Sequence, residues 1–144
     1  MDLRPLDEIT SVAPMIDPAD MAALAEGGIG TVICNRPDAE VPPSHQAEAM
    51  RQAAEAAGMA FVYNPLAMPN LSMAAIDEQA DAIDGAEGRV LAYCASGTRS
   101  AVLWALAMAG RLGTDEIMGA LEGAGYPLPQ LRGQVEAVAK GRDG

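Results

Sequence analysis

The sequence predicts a single α/β domain built on a mostly parallel central sheet flanked by helices. Three observations predict it. Short apolar or β-branched runs alternate along the chain with stretches whose apolar residues recur at helical spacing, which is the order of βα units. Capping residues and glycines punctuate those stretches at spacings that suit short helices. A length of 144 residues, half of them hydrophobic, supplies one core and hardly leaves room for two.

Each element has its own signal. Residues 9–15 are apolar and partly β-branched, a first strand. Asp17 then stands as an N-cap with Pro18 at the first helical position, and Met21, Leu24 and Ala25 form an apolar stripe that Gly27-Gly28 ends. Residues 31–34, Thr-Val-Ile-Cys, make a compact buried-type strand. Residues 35–43, with two adjacent prolines, are a loop, and Ser44 is placed to cap a helix reaching about Ala57 before Gly58. A strand is expected at residues 59–63 and a loop at 64–71, which holds Pro65 and Pro69. Ser72 starts a helix with Ile76, Ala80 and Ile83 on one face. Arg89–Tyr93 reads as a strand. An apolar helix begins at Thr98 or Ser100 and runs to about Gly110. Thr114 caps a further helix through Leu121, and a last short helix near residues 129–139 precedes a polar tail.

Charge narrows the function classes. Nine basic residues against twenty acidic ones leave a formal net charge of −11, which repels nucleic-acid phosphates and anionic lipid. Charge or glycine interrupts every apolar run before it reaches membrane-spanning length, and the first residues lack the apolar core of a signal peptide, so a cytoplasmic location is the expectation. Two cysteines and one histidine do not make a four-ligand zinc site, and no cofactor is implied.

The chemistry concentrates in residues 90–100, Val-Leu-Ala-Tyr-Cys-Ala-Ser-Gly-Thr-Arg-Ser. A buried strand ends at Cys94, and a short loop turns into the start of a long helix. Amides of Ala95, Ser96, Gly97 and Thr98 can converge on one point there, and with the helix dipole they favour an anion. Gly97 allows a backbone conformation other residues resist. Arg99 adds a planar fork of donors. The same field stabilises a Cys94 thiolate, the nucleophilic form, and the Ser100 hydroxyl can donate to the sulfur or brace the loop. Arg36 and Asp38 follow the strand at 31–34 and are candidates for the substrate mouth, Asp38 or Glu40 for an acid. Cys34 ends that strand and is a candidate redox partner of Cys94. His45 at a helix start, Trp104 on an apolar helix face, the dispersed methionines and the acidic run from Asp77 to Asp84 read as structural or solvated residues.

The segment Leu-Ala-Tyr-Cys-x-x-Gly-x-Arg-Ser, followed by Leu103-Trp104-Ala105-Leu106, resembles the bacterial phosphatase-like domain of the beta-lactamase-hydrolase-like family, whose members also carry a sulfurtransferase label. Residues 31–38 are similar to that family's second signature, and residues 17–24 to the helix before it; the likeness runs from about Ile9 to Gly110. It implies a fold like that of the dual-specificity protein phosphatases. Three departures stand out. Four residues separate Cys94 from Arg99 where tyrosine-type phosphatases have five, a spacing closer to the rhodanese-type loop that carries a persulfide. Residues 64–71 contain no Asp or Glu to protonate a leaving group. Ala95 stands where the family commonly has Arg. These departures put sulfane-sulfur transfer through a Cys94 persulfide first among the expected activities. Phosphoester hydrolysis through a phosphocysteine comes second, and a silent anion-binding or redox-sensing domain third. The expected partner is a small anionic or sulfur-containing substrate.

Overall fold

The computed structural model describes residues 1–67 and 71–143. It contains β1 (Arg4–Pro5), β2 (Thr10–Ala13), α1 (Met21–Glu26), β3 (Ile29–Cys34), α2 (Ala47–Ala56), β4 (Ala60–Tyr63), α3 (Met73–Asp84), β5 (Arg89–Tyr93), α4 (Thr98–Met108), α5 (Thr114–Gly123) and α6 (Arg132–Asp143). The strands form one sheet in the order β1-β2-β5-β3-β4. β5 lies at its centre, parallel to both β2 and β3, and β4 extends the sheet in parallel beyond β3. Only β1 runs antiparallel, pairing Arg4 with Val12 and Pro5 with Ser11 at the edge. Two residues are too few to show a period in sequence, and Pro5 is tolerated because an edge strand needs no inward amide there.

The sheet separates two apolar layers. Val12, Ile33, Val90 and Ala92 point into a core built with α3, α4, α5 and α6, and their neighbours Ala13, Val32, Leu91 and Tyr93 point into a second core with α1 and α2. This period-two alternation in strands buried on both faces explains why β3 and β5 read as unbroken hydrophobic runs. Helix α4 is buried from Ser100 to Met108 and carries Trp104 through the larger core. Trp104 Nε1 donates to Asp7 Oδ2 at 3.1 Å, and the other Asp7 oxygen takes the amides of Ile9 and Thr10, so one carboxylate ties the β1–β2 turn to α4.

Several helix ends differ from expectation. Ser72 does cap α3, its Oγ accepting the Ala75 amide at 3.2 Å. Ser44 does not cap α2; it lies inside a 3-10 turn, Pro43–His45, that the Pro42-Pro43 pair starts. The amide of Ala47, first in α2, instead goes to Asp38 Oδ1 at 2.7 Å. Gly113 rather than Thr114 occupies the N-cap of α5. The polar tail is helical as well. α6 extends to Asp143, and Arg142 Nη1 reaches the carbonyls of Ala107 and Ala109 at 2.7 and 2.6 Å, satisfying buried acceptors at the C-terminal end of α4. Among the described residues no helix is long and apolar enough to cross a membrane.

Candidate active site

Open parallel sheets place ligands beyond the carboxyl ends of their strands, and three strand ends meet here. The Met15 amide donates to the Ala95 carbonyl at 3.2 Å, and the Asn35 amide to the Tyr93 carbonyl at 2.9 Å, so the segments following β2 and β3 flank Cys94. Cys94 is the first residue after β5 and is fully buried on the floor of its loop.

The loop is held by contacts of its own. Ser96 Oγ accepts the Thr98 amide at 3.3 Å and donates to Thr98 Oγ1 at 3.0 Å. Gly97 adopts φ +93°, the left-handed conformation expected of it, and its amide donates to Cys94 Sγ at 3.1 Å. Helix α4 then starts at Thr98, and its first amides have no partner within the helix. Of the loop amides that the sequence expected to converge, that of Gly97 meets the sulfur, and that of Thr98 goes to Ser96 Oγ instead.

Arg99 faces inward, its side chain only 16% exposed. Nη1 donates to Glu40 Oε2 and to the Leu66 carbonyl, both at 2.8 Å, and Nη2 donates to Glu40 Oε1 at 2.7 Å. Among the described residues, three of the five guanidinium N–H groups are occupied by these bonds; the Nε–H and the second Nη2 N–H share the other edge of the fork, a spacing that suits two oxygens of a tetrahedral anion. Hydrogen bonds from Arg99 hold Glu40 below the usual carboxylate range, with Arg36 adding to the effect; reciprocally, Glu40 foremost and then Cys94 favour the charged form of Arg99. Glu40 is therefore an ionised positioner of Arg99 at neutral pH and a poor proton donor.

The other candidates divide. Arg36 lies at the mouth, with Nε 3.2 Å from Glu40 Oε1 and Nη1 3.0 Å from Met15 Sδ. Asp38 is tied to α2 and β4 instead: its carboxylate accepts the Ala47 amide at 2.7 Å, and its backbone amide donates to the Tyr63 hydroxyl at 2.9 Å. Ser100 is fully buried and donates to Asn35 Oδ1 at 2.8 Å, so it braces the loop rather than the sulfur. His45 bridges Ser44 and Asp17, pinning two rim loops together. The loop at 64–71 is described only outside residues 68–70; Leu66 supplies its contact to Arg99.

Cys34 is the last residue of β3. The β3–β5 register sets it opposite Tyr93, one residue short of Cys94, and it packs in the core of α1 and α2. Both thiols are free; Cys34 Sγ donates to the Arg36 carbonyl at 3.4 Å, and burial pushes its thiol up. Iodoacetamide at neutral pH is expected to modify Cys94 and spare Cys34, as read by peptide mass spectrometry. Equal labelling would contradict this assignment.

Sequence reasoning missed a buried polar cluster behind the loop. The amides of Asn35, Asn64 and Gln79 bond to one another. Gln79 Oε1 accepts from both asparagines at 2.9 Å, and its Nε2 donates to Asn35 Oδ1 at 3.2 Å. Glu40 was legible only as one of two acids in its loop, and Asn35 only as part of a segment, 35–38, that could line the substrate mouth.

Fold and loop together define a phosphatase-like α/β domain with a cysteine and an arginine on one strand-to-helix loop. The model for the beta-lactamase hydrolase-like protein, phosphatase-like domain, matches residues 2–111, and the chain belongs to that family. A beta-lactamase hydrolase-like protein of Xylella fastidiosa (strain Temecula1) is 30% identical over 130 residues, covering 89% of this chain. The chain spans only 30% of that relative's length. A crystal structure from Neisseria meningitidis Z2491, provisionally named a phosphatase, is 32% identical, covers 96% of this chain and 99% of its own, and superposes with a TM-score of 0.82. TpbA of P. aeruginosa, crystallised with pTyr, is 15% identical and covers 97% of this chain and 89% of its own; its TM-score of 0.67 shows the shared fold.

Proposed function

We propose that this domain is a cysteine-dependent phosphatase acting on phosphate monoesters with good leaving groups. The observation that carries the proposal is the joint placement of Cys94 Sγ, the Gly97 amide 3.1 Å from it, and the Arg99 guanidinium at one helix N-terminus. A phosphoryl group is negatively charged at three oxygens, and fixed donors aimed at that charge are the main means of stabilising its transfer. The Cys94 thiolate attacks phosphorus, the bond to the leaving oxygen breaks, and a phosphocysteine forms. Water then attacks phosphorus, releasing inorganic phosphate and restoring the thiolate. Arg99 grips two equatorial oxygens throughout. Cys94 has no water-accessible surface, so the phosphoryl group enters by movement of the loop or of Arg99 above it.

The leaving group is the point of discrimination. Glu40 is held ionised and Asp38 is committed to α2, so neither carboxyl group of this loop supplies a proton. An aryl oxide departs without one and an alkoxide does not. The phosphatase naming of the Neisseria relative, and the pTyr complex of TpbA, also support phosphoryl over sulfur transfer. This reverses the order suggested by the four-residue spacing.

A series of aryl phosphates with graded phenol acidity, run beside an alkyl phosphate, tests the reading. The rate of phosphocysteine formation is expected to rise steeply with phenol acidity, with the alkyl ester inert. A parallel reaction with thiosulfate and cyanide is expected to yield no thiocyanate. Thiocyanate production without phosphate release would replace the proposal with sulfur transfer.

A further inference from the structure

One peptide unit of the loop is held at both ends. The amide of Gly97 donates to Cys94 Sγ at 3.1 Å, and the carbonyl of the same unit, that of Ser96, accepts from the Tyr126 hydroxyl at 3.0 Å. In a planar trans peptide these two groups point to opposite sides. A donor fixed on the carbonyl therefore aims the N–H at the sulfur, and it polarises that N–H into a better donor. From this geometry we infer that Tyr126 is a positioning residue of the active site, locking the Ser96–Gly97 peptide in the orientation that stabilises the Cys94 thiolate. The inference rests on the reading of Cys94 as the nucleophile.

A second observation supports it. A Cβ on Gly97 would stand 1.9 Å from the Tyr126 hydroxyl oxygen, so the contact exists only because residue 97 has no side chain. The glycine thus serves two needs, its φ of +93° and the close approach of the phenol. Tyr126 itself is well seated. It is 6% exposed, its amide donates to the Leu121 carbonyl, and the Arg4 guanidinium lies 5.0 Å over its ring. Burial, with Cys94 adding to it, raises the phenol above its ordinary range, so it remains a donor at neutral pH. It follows α5, outside the 2–111 segment that the family model matches. The C-terminal part of the chain therefore reaches into the site through this one hydroxyl.

The test measures the pH dependence of Cys94 alkylation by iodoacetamide in three folded proteins: the parent, Tyr126→Phe and Arg4→Ala. Phenylalanine keeps the buried ring and deletes only the hydroxyl. Arg4→Ala removes the cation over the ring and a bond to the Ala124 carbonyl while leaving the hydroxyl in place. Tyr126→Phe is expected to move the alkylation midpoint upward by about one pH unit and to lower kcat/KM for an aryl phosphate about tenfold, with KM little changed. Arg4→Ala is expected to leave the midpoint where it is in the parent. A Tyr126→Phe midpoint equal to the parent's, or an Arg4→Ala shift as large as that of Tyr126→Phe, overturns the inference, the latter because packing alone would then be acting. A parent thiol that already titrates like a free cysteine would instead overturn the nucleophile reading beneath it. Thermal unfolding of each variant separates these outcomes from failure to fold.

Discussion

Cys94→Ser is expected to lower turnover of an aryl phosphate at least about a thousandfold while leaving the domain folded. The substitution exchanges sulfur for a smaller oxygen in a fully buried position, so the packing change is slight. The Gly97 amide, 3.1 Å from the sulfur, can donate to a hydroxyl oxygen there just as well. What is lost is ionisation. A serine hydroxyl is a far weaker acid than a thiol, and one amide with a helix N-terminus does not make it an alkoxide at neutral pH. The loop amides and Arg99 persist, so the variant should still bind inorganic phosphate with an affinity close to the parent's. Stopped-assay turnover and calorimetric anion binding check the two halves. Residual turnover within tenfold of the parent would remove Cys94 from the reaction; loss of anion binding together with turnover would mean that the loop had collapsed.

Gln79→Ala is expected to cost the fold about 2–3 kcal/mol in urea unfolding, a large part of a small domain's stability. Gln79 has no exposed surface, yet its side chain serves three hydrogen bonds, two accepted from Asn35 and Asn64 and one donated to Asn35. Alanine removes the partner and leaves amide groups of both asparagines short of a bond inside the protein. The damage should spread toward the site. Asn35 Oδ1 is also the acceptor for Ser100, which lies in the first turn of α4 next to Arg99. A cost below about 0.5 kcal/mol would show that water or a rearranged amide replaces Gln79 readily.

These two residues mark opposite ends of what could be read in advance. Cys94 stood out because a buried strand, a cysteine, a glycine and an arginine fell within a few adjacent positions, and local chemistry needs only local sequence. The parallel sheet was legible for the same kind of reason. Strand and helix periods alternate along the chain, and β3 and β5 are buried on both faces. Gln79 gave no such sign. On α3 it sits in a polar sequence, Asp-Glu-Gln, and nothing in that run distinguishes the one side chain that turns inward to meet residues 15 and 44 positions away. Asp38 and Glu40 were indistinguishable as acids in a single loop. Their separation into helix cap and arginine partner came from where α2 and α4 start in space.

The chain by itself determined the fold class and the loop that joins Cys94 to Arg99, because each is encoded in consecutive residues whose periodicity and spacing act over one element. Tertiary structure alone decided the company they keep. It gave Arg99 to Glu40, Ser100 to Asn35, Gln79 to Asn35 and Asn64, and the Ser96 carbonyl to Tyr126. Each of those contacts joins residues far apart in sequence, and hydrogen bonds reach only about 3 Å, so they depend on how the layers pack.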